Sequence, residues 1–303
     1  MLRTLRASWY SPTVMLALLL CVGVVAMVRC DSGASAGQPR AQAVKNLRLY
    51  IFKLGNIPIS DSKVMFSDQF DVAPTGCCIV VSHLIVHPKG TLIWDAGVVP
   101  DADIGKSESG QAGRFTVEPP KRSLREQLAE IGYQPKDITY VAFSHLHFDH
   151  VANGNAFKDS TWIVQEKERH AMFPDTPAPG PGAINFSELR KSKTIILANM
   201  TSQDEYDVFG DGTVTIKPAP GHTPGQQVLI LKLPKTGPVM LAGDLYHFRE
   251  ERAGQFLPRG EGEESRASRM AIEEYIRKRG MPLWIEHDTR LYETLKQSPN
   301  YIE

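Results

Sequence analysis

The stretch that decides the fold is Ser144-His145-Leu146-His147-Phe148-Asp149-His150, which follows the near-continuous apolar run from Ile138 to Phe143. In an extended turn His145 and His147 point to the same side, and Asp149 and His150 lie just beyond, where they can reach a second metal ion. Solvated polar residues in a surface turn are the alternative, but chance seldom places this spacing directly after a buried strand. The stretch therefore predicts a metal site at the end of a strand.

Three further candidate ligands follow along the chain. His222 stands in a turn rich in Gly and Pro, Asp244 follows an apolar run, and His287 follows another. Each comes where a predicted strand ends, which is where the ligand sites of α/β sheets gather. Imidazoles and carboxylates are ligands that zinc and similar divalent ions take, and an open coordination position distinguishes a catalytic from a structural site.

Short β-rich runs alternate with turn clusters from Asn46 onward and predict a strand-dominated α/β pattern. The predicted strands are 47–54, 77–86, 91–94, 138–144, 161–164, 213–217, 228–233, 239–242 and 283–286. Residues 121–132 and 265–280 have amphipathic helical patterns that end at glycine. The stretches 98–120, 173–193 and 248–264 lack periodicity, so we expect lids or surface excursions there.

The N terminus differs in composition from the rest of the chain. Arg3 and Arg6 precede an apolar run from Val14 to Val28, and small residues follow it. This is the order of a signal peptide, and the run is short for a membrane span, which needs about 20 apolar residues. We expect a cleaved leader over residues 1–43, a catalytic domain over residues 44–303, and a periplasmic or secreted location. The alternative is that residues 1–43 remain attached as an N-terminal membrane anchor. We expect no other contact with a membrane.

Charge and composition narrow the class of partner. The 303 residues carry 34 basic and 34 acidic side chains, and losing residues 1–43 leaves the chain close to neutral. No basic stripe interleaved with aromatic residues is present, so a nucleic-acid partner is not expected. The balance favours a small-molecule substrate, and it does not determine the oligomeric state.

Two of the four cysteines, Cys77 and Cys78, lie outside the predicted leader. Neighbours in a strand point to opposite faces, so we expect no disulfide framework here. No Cys-x-x-Cys spacing supports a thiol ligand, which favours buried structural cysteines.

The candidate ligands, in this order, resemble the metallo-β-lactamase superfamily from about Leu47 to the C terminus. The resemblance implies an α/β fold, a four-layer αβ/βα sandwich, that holds two divalent metal ions, with Zn²⁺ expected. It implies one ion on His145, His147 and His222, a second on Asp149, His150 and His287, and Asp244 bridging both. The stretch 92–97 matches the family's Asp-x-Gly turn, whose aspartate, here Asp95, supports the site from behind.

Within the superfamily the chain is most similar to the N-acyl homoserine lactonases, the quorum-quenching enzymes. Residues 144–150, 220–226, 239–244 and 286–302 carry this similarity. It implies a hydrolase that opens the lactone ring with a water whose pKa two cations lower, while Asp149 passes the proton along.

One departure concerns the oxyanion. The lactonases commonly place a tyrosine three residues after the bridging aspartate, but that position here is His247, with Tyr246 one residue earlier. Either Tyr246 or His247 steadies the substrate oxygen, or the chemistry differs. Phe148 lines an acyl-chain pocket or belongs to the core. Packing or surface roles are expected for His83, His87 and His170.

The ligand set does not by itself define the substrate. A glyoxalase II-like thioesterase, an organophosphate hydrolase or a β-lactamase uses the same kind of site, and a non-catalytic metal-binding protein is the alternative from another class. We expect a lactone or ester substrate and leave the acyl-chain preference and the metal's identity open.

Overall fold

The computed structural model describes residues 44–59, 65, 78–106, 110–112, 115–175 and 183–303. The predicted leader over residues 1–43 lies outside the described residues. The chain from Gln38 to Glu303 forms one compact unit. Within the described part of the chain, none of the helices has the length and apolarity that a membrane span requires.

The first sheet has six strands in the order β1-β2-β3-β6-β7-β8. Its strands are β1 (Arg48–Asn56), β2 (Ile79–His87), β3 (Gly90–Trp94), β6 (Tyr140–Ala142), β7 (Thr161–Gln165) and β8 (Thr194–Leu197). The first three pair antiparallel and the remaining pairs are parallel. The short strands β4 (Gln111–Ala112) and β5 (Phe115–Thr116) form a separate hairpin.

The second sheet has five strands in the order β13-β12-β11-β10-β9. Its strands are β9 (Tyr206–Asp207), β10 (Val214–Pro218), β11 (Gln227–Leu233), β12 (Gly237–Leu241) and β13 (Leu283–Trp284). All neighbours are antiparallel except β12 and β13, which pair in parallel.

Strand alternation builds the layers. On β1, Leu49 and Ile51 face a core shared with Leu229 and Leu241 of the second sheet, so the two sheets pack face to face. The alternate residues of β1 face a second core with helix α1 (Leu124–Glu130), and the outer face of the second sheet packs against helix α5 (Glu263–Arg279). These four layers confirm the predicted αβ/βα sandwich.

Six α-helices occur among the described residues. They are α1 (Leu124–Glu130), α2 (Phe148–Val151), α3 (Glu166–Met172), α4 (Arg249–Gly254), α5 (Glu263–Arg279) and α6 (Thr289–Tyr292). Both predicted helices are confirmed. A capping box of Ser123 and Glu126 begins α1, and Gly280, at φ 59°, ends α5.

Some boundaries differ from the sequence predictions. The strand predicted over 138–144 ends at Ala142, because the Phe143 carbonyl accepts from the Gln227 side chain and the Ser144 N–H donates to Asp95 rather than to a sheet partner. The stretch 248–264 contains α4, which periodicity missed because the helix is short and its buried residue is an acid, Glu251. Residues 183–191 form a 3₁₀ helix inside another stretch without periodicity.

The cysteine prediction is corrected. Cys78 is buried as expected, but its sulfur is disulfide-bonded. The expectation rested on the opposite directions of adjacent strand residues, which argues against a bond between neighbours and places no limit on a bond to a cysteine elsewhere in the chain. The other three cysteines of the chain lie outside the described residues.

Candidate metal centre

The candidate ligands lie just beyond the ends of strands from both sheets. The loop after β6 carries His145 and His147 and continues into α2 with Asp149 and His150. The other three follow strands of the second sheet: His222 comes after β10, Asp244 after β12 and His287 after β13. The edge where the sheets meet therefore collects side chains that are as many as 142 positions apart.

A first group consists of His145, His147, His222 and Asp244. Nδ1 of His147 lies 2.9 Å from Nε2 of His145 and 2.9 Å from Nε2 of His222. Oδ2 of Asp244 lies 3.6 Å and 3.4 Å from those same Nε2 atoms. Three ring nitrogens and one carboxylate oxygen thus converge on one point.

A second group consists of Asp149, His150 and His287, all buried. Nε2 of His287 lies 3.6 Å from Oδ2 of Asp149, and Nε2 of His150 lies 3.8 Å from that oxygen. Oδ1 of Asp244 lies 3.1 Å from Nε2 of His287 and 3.3 Å from Nε2 of His150. The two oxygens of Asp244 therefore face different groups, which is the geometry of a bridging carboxylate.

The donor atoms fit divalent cations. Nε2 of His150 and Oδ1 of Asp244 are buried and have no hydrogen-bond partner among the described residues, a state that is costly unless a ligand satisfies it. Nδ1 of His222 faces Glu261 at 2.7 Å and Nδ1 of His287 faces the Ile79 carbonyl at 2.8 Å. These acceptors orient both rings so that Nε2 points at the centre, as in metal-bound histidines.

Burial and neighbouring charges act on the ligand histidines in two ways. Burial lowers the pKa of His145 well below its usual value, and burial with the nearby His222 lowers that of His147 to about 4, so both imidazoles are neutral. Burial also opposes charge on His150 and His287, but the Asp244 carboxylate raises the pKa of both. The net effect therefore lowers the pKa of His145 and His147 and raises that of His150 and His287.

Asp95 lies behind the second group. Its Oδ2 is 3.1 Å from Nδ1 of His150, and its Oδ1 accepts from the Ser144 N–H. Asp95 has a φ of 60°, which the tight turn after β3 requires. This is the position that the sequence resemblance gave it.

Glu168 is a buried carboxylate in α3 that sequence reasoning missed. It accepts from the Leu146 N–H at 2.7 Å, from the Gly225 N–H at 2.8 Å and from the Thr223 hydroxyl at 2.9 Å. Burial raises the pKa of Glu168 to about 7 against these hydrogen bonds. Glu168 ties the loop of His145 and His147 to the loop of His222. No sequence pattern marks it, because its partners are remote along the chain.

The adjacent residues Tyr246 and His247 point in different directions. Nε2 of His247 lies 3.3 Å from Oδ2 of Asp244, and His247 lines the cleft above both groups. The Tyr246 ring is buried, and its hydroxyl is hydrogen-bonded to Gln255. Burial raises the pKa of Tyr246 to about 12. The structure brings His247 to the site and places Tyr246 in the packing beside it.

A cleft of about 440 Å³ opens over the two groups. Its apolar lining residues include Ile57, Ile59, Met65, Phe115 and Phe148, and its polar ones include His147, His222, Asp244, His247 and His287. Phe115 and Phe148 stack with their ring centroids 5.8 Å apart. Phe148 also packs against the core of the first sheet, so it has both of the roles that the sequence left open.

The histidines not assigned to the centre have the roles expected of them. His83 is fully buried, with Nε2 3.1 Å from the Tyr292 hydroxyl, and burial lowers its pKa to about 3. His87 stacks on Phe209. His170 is exposed at the end of α3.

Comparison with known proteins gives the family of this chain. The family model of the metallo-beta-lactamase superfamily matches residues 75–280. An N-acyl homoserine lactonase named AttM from Azorhizobium caulinodans is 31% identical over 272 residues, which are 85% of this chain and 99% of that protein. The N-acyl homoserine lactonase AiiA of Bacillus thuringiensis subsp. kurstaki is 28% identical over 228 residues, 73% of this chain and 85% of AiiA.

Solved structures show the same fold. A mutant AiiA from B. thuringiensis with N-decanoyl-L-homoserine bound at its active site superposes with a TM-score of 0.68 at 21% identity, over 86% of this chain and 100% of that one. The hydrolase AbOPH of the beta-lactamase superfamily gives a TM-score of 0.55 at 15% identity, over 82% and 89% of the two chains.

The fold, the ligand order and the matched residues define a class: the chain belongs to the metallo-beta-lactamase superfamily. Within that class it is a metal-dependent hydrolase similar to the N-acyl homoserine lactonases.

Proposed function

We propose that this chain is a hydrolase with two metal ions that opens the lactone ring of N-acyl homoserine lactones and so quenches quorum signals. The observation that carries the proposal is the placement of Asp244, whose two oxygens face the two ligand groups at 3.1 to 3.6 Å. The relative named N-acyl homoserine lactonase that matches over 99% of its own length supports the substrate class. Zn²⁺ is the proposed metal, because the donor set is imidazole and carboxylate.

The residues of the centre have separate tasks in this reaction. When bound, two divalent cations make water nucleophilic near neutral pH and polarise an ester carbonyl. Asp149, at the edge of the second ligand group, takes up the proton that the attacking water gives up. It returns that proton to the ring oxygen when the carbonyl carbon–ring oxygen bond of the lactone breaks. His247 lines the cleft with its Nε2 3.3 Å from Oδ2 of Asp244. With a cation bound to that carboxylate, the Nε2–H would donate to the substrate oxygen that becomes negatively charged.

The apolar part of the cleft suits an acyl chain. Ile57, Phe115 and Phe148 lie on its wall, and Phe115 and Phe148 form a continuous aromatic surface. Ligand pockets of this kind bury the apolar part of a substrate and fix its polar part with a few side chains. We therefore place the acyl chain along this wall and the lactone over the metal ligands.

A substrate panel tests the proposal. The purified protein loaded with Zn²⁺ is assayed with short- and long-chain homoserine lactones, a glutathione thioester, an aryl phosphotriester and a cephalosporin. We expect kcat/KM for at least one homoserine lactone to exceed that for every other class by about 100-fold, or about 2.7 kcal/mol. A higher kcat/KM for the thioester, the phosphotriester or the cephalosporin would contradict the proposal and identify that compound's class as the substrate.

The bridging role of Asp244 has its own test. In Asp244→Asn one bridging oxygen becomes an amide nitrogen that does not bind cations, so we expect bound metal to fall from two ions to one or fewer and lactonase activity to be lost. Asp159→Asn, at an exposed aspartate, is the control and should keep the wild-type metal content and the wild-type activity. Two bound ions with full activity in Asp244→Asn would contradict the assignment.

A further inference from the structure

Arg269 is a buried arginine in α5, outside every group of candidate ligands. Its side chain is 2% exposed, which is unusual for arginine unless it is paired. Among the described residues it is one of the largest side chains that are fully buried. No role for Arg269 could be predicted from the sequence, because it is one of several charged residues in a predicted amphipathic helix.

The guanidinium of Arg269 contacts two buried carboxylates. Nη2 lies 2.5 Å from Oε1 of Glu251 in α4 and 3.5 Å from Oε2 of Glu261 in the loop before α5. Nη1 donates to the Phe256 carbonyl, and the guanidinium lies over the Tyr246 ring, 4.5 Å from its centroid. Arginine suits this position because its planar group donates in several directions at once.

Each of these carboxylates holds a histidine of the centre. Glu261 lies 2.7 Å from Nδ1 of His222. Glu251 lies 3.1 Å from Nδ1 of His247 and also accepts the His247 backbone N–H at 2.6 Å. On their other sides, both imidazoles face the same oxygen of Asp244 with Nε2, at 3.4 Å and 3.3 Å.

The Arg269 guanidinium is therefore connected to the imidazoles of both His222 and His247, in each case through one glutamate. The side chains of Glu251 and Glu261 are both buried, and the Arg269 guanidinium contacts one oxygen of each, at 2.5 Å and 3.5 Å, which fixes the orientation of both carboxylates. Without the guanidinium, Glu251 and Glu261 lose the group that both of them contact. The imidazole rings of His247 and His222, which these carboxylates orient, then lose their fixed positions. Such outer contacts typically change metal affinity 10- to 100-fold.

We propose that Arg269 is a positioning residue of the metal centre, which fixes His222 as a ligand and His247 as a donor through Glu261 and Glu251. The catalytic part of this inference rests on the proposed function. The metal-binding part does not, because it concerns the ligand His222 and not the substrate.

The chain supplies a matched control. Arg252 of α4 pairs with Glu273 of α5 through two hydrogen bonds, at 2.7 Å and 2.9 Å. This pair joins the same two helices as Arg269 and Glu251, but it does not contact a carboxylate that holds a candidate ligand. Arg252→Met therefore removes an ion pair between α4 and α5 without touching the supports of His222 and His247.

The experiment compares Arg269→Met, Arg269→Lys and Arg252→Met in the full chain. Co²⁺ is titrated into each metal-free protein, its visible absorption is recorded, and kcat and KM are measured with the preferred substrate of the panel. We expect Arg269→Met to bind the first Co²⁺ 10- to 100-fold more weakly with an altered spectrum, and to lose kcat more than KM rises. Arg269→Lys, which keeps the charge, should recover part of both losses, and Arg252→Met should keep wild-type affinity and spectrum.

Circular dichroism separates positioning from folding. Folded Arg269→Met with wild-type Co²⁺ affinity and spectrum would overturn the proposal, and so would equal losses in Arg252→Met. If Arg269→Met does not fold, the same comparison is made with Arg269→Gln, which removes the charge and keeps a polar side chain, and unchanged affinity and spectrum there would likewise overturn it. Failure of the lactone panel alone would refute the proposed substrate and leave the Co²⁺ result intact.

Discussion

At the scale of single residues, the pair Tyr246 and His247 shows how one position in sequence decides access to the centre. Neighbouring side chains diverge, so only one of the two faces the cleft, and in this structure that residue is His247. Tyr246 instead packs under Arg269 and is hydrogen-bonded to Gln255. A histidine thus occupies the place where the resemblance implied a tyrosine.

Substitution of this pair separates the two roles. In His247→Phe the donor near the substrate oxygen is lost, so we expect kcat to fall about 100- to 1,000-fold while bound metal stays at the wild-type level. Tyr246→Phe removes a hydroxyl bonded to Gln255 at 3.3 Å and should retain kcat within about twofold. Steady-state kinetics and metal analysis check both, and a larger loss of kcat in Tyr246→Phe would reverse the assignment.

At the scale of elements, the ligand loops are positioned by close packing against helices. The Cα of Ser265 in α5 lies so near Gly221 that an added Cβ would come within 2.4 Å of the helix backbone. Gly221 also has a φ of 138°, a conformation that L side chains rarely adopt. Glycine at this position lets the loop of His222 lie directly on α5.

Gly221→Ala tests that contact. The added methyl group must push the loop away from α5, so we expect the variant to bind metal at least 10-fold more weakly and to lose more stability than backbone strain alone costs. Gly237→Ala is the control, since Gly237 also has a positive φ, 85°, but no atom within 4 Å of the added Cβ. We expect Gly237→Ala to lower the free energy of unfolding by about 1 to 2 kcal/mol and to leave the metal affinity unchanged. Equal effects in the two variants, by metal titration and chemical denaturation, would argue against the packing role.

At the scale of the whole molecule, the centre joins the two sheets. His145, His147, Asp149 and His150 come from the first sheet, whereas His222, Asp244 and His287 come from the second. Cations held by this proposed centre would cross-link the halves of the sandwich and neutralise a cluster of buried carboxylates. Anything that binds the native state alone stabilises it by mass action.

Metal removal should consequently lower the melting temperature. At a free Zn²⁺ concentration 100 times the dissociation constant, one site adds about 2.7 kcal/mol, which corresponds to about 5 to 10 °C for a domain of this size. Calorimetry after chelation, with and without Zn²⁺ added back, measures the shift. Asp244→Asn should show a smaller shift than wild type, and a melting temperature independent of Zn²⁺ in the wild-type chain would contradict the cross-link.

Local sequence pattern was enough to predict much of the fold and to select the candidate metal ligands. The strand cores and both periodic helices were predictable because strand alternation and helical spacing depend on near neighbours. Short elements such as α4 and β8 were not, because their stability comes from contacts across the chain. His145, His147, Asp149 and His150 could be recognised by spacing, and His222, Asp244 and His287 by their places after strands.

Only the tertiary structure showed which residues surround the candidate ligands and hold their side chains in orientation. Glu168, Glu251, Glu261 and Arg269 look like ordinary surface charges in sequence, yet each is buried or nearly so and contacts residues from another element. Their function depends on pairing over distances that periodicity does not encode, such as the 55 positions between Glu168 and Thr223. The choice of His247 over Tyr246 was likewise fixed only by the path of the backbone after β12, because adjacent side chains differ in direction and sequence alone does not give that direction.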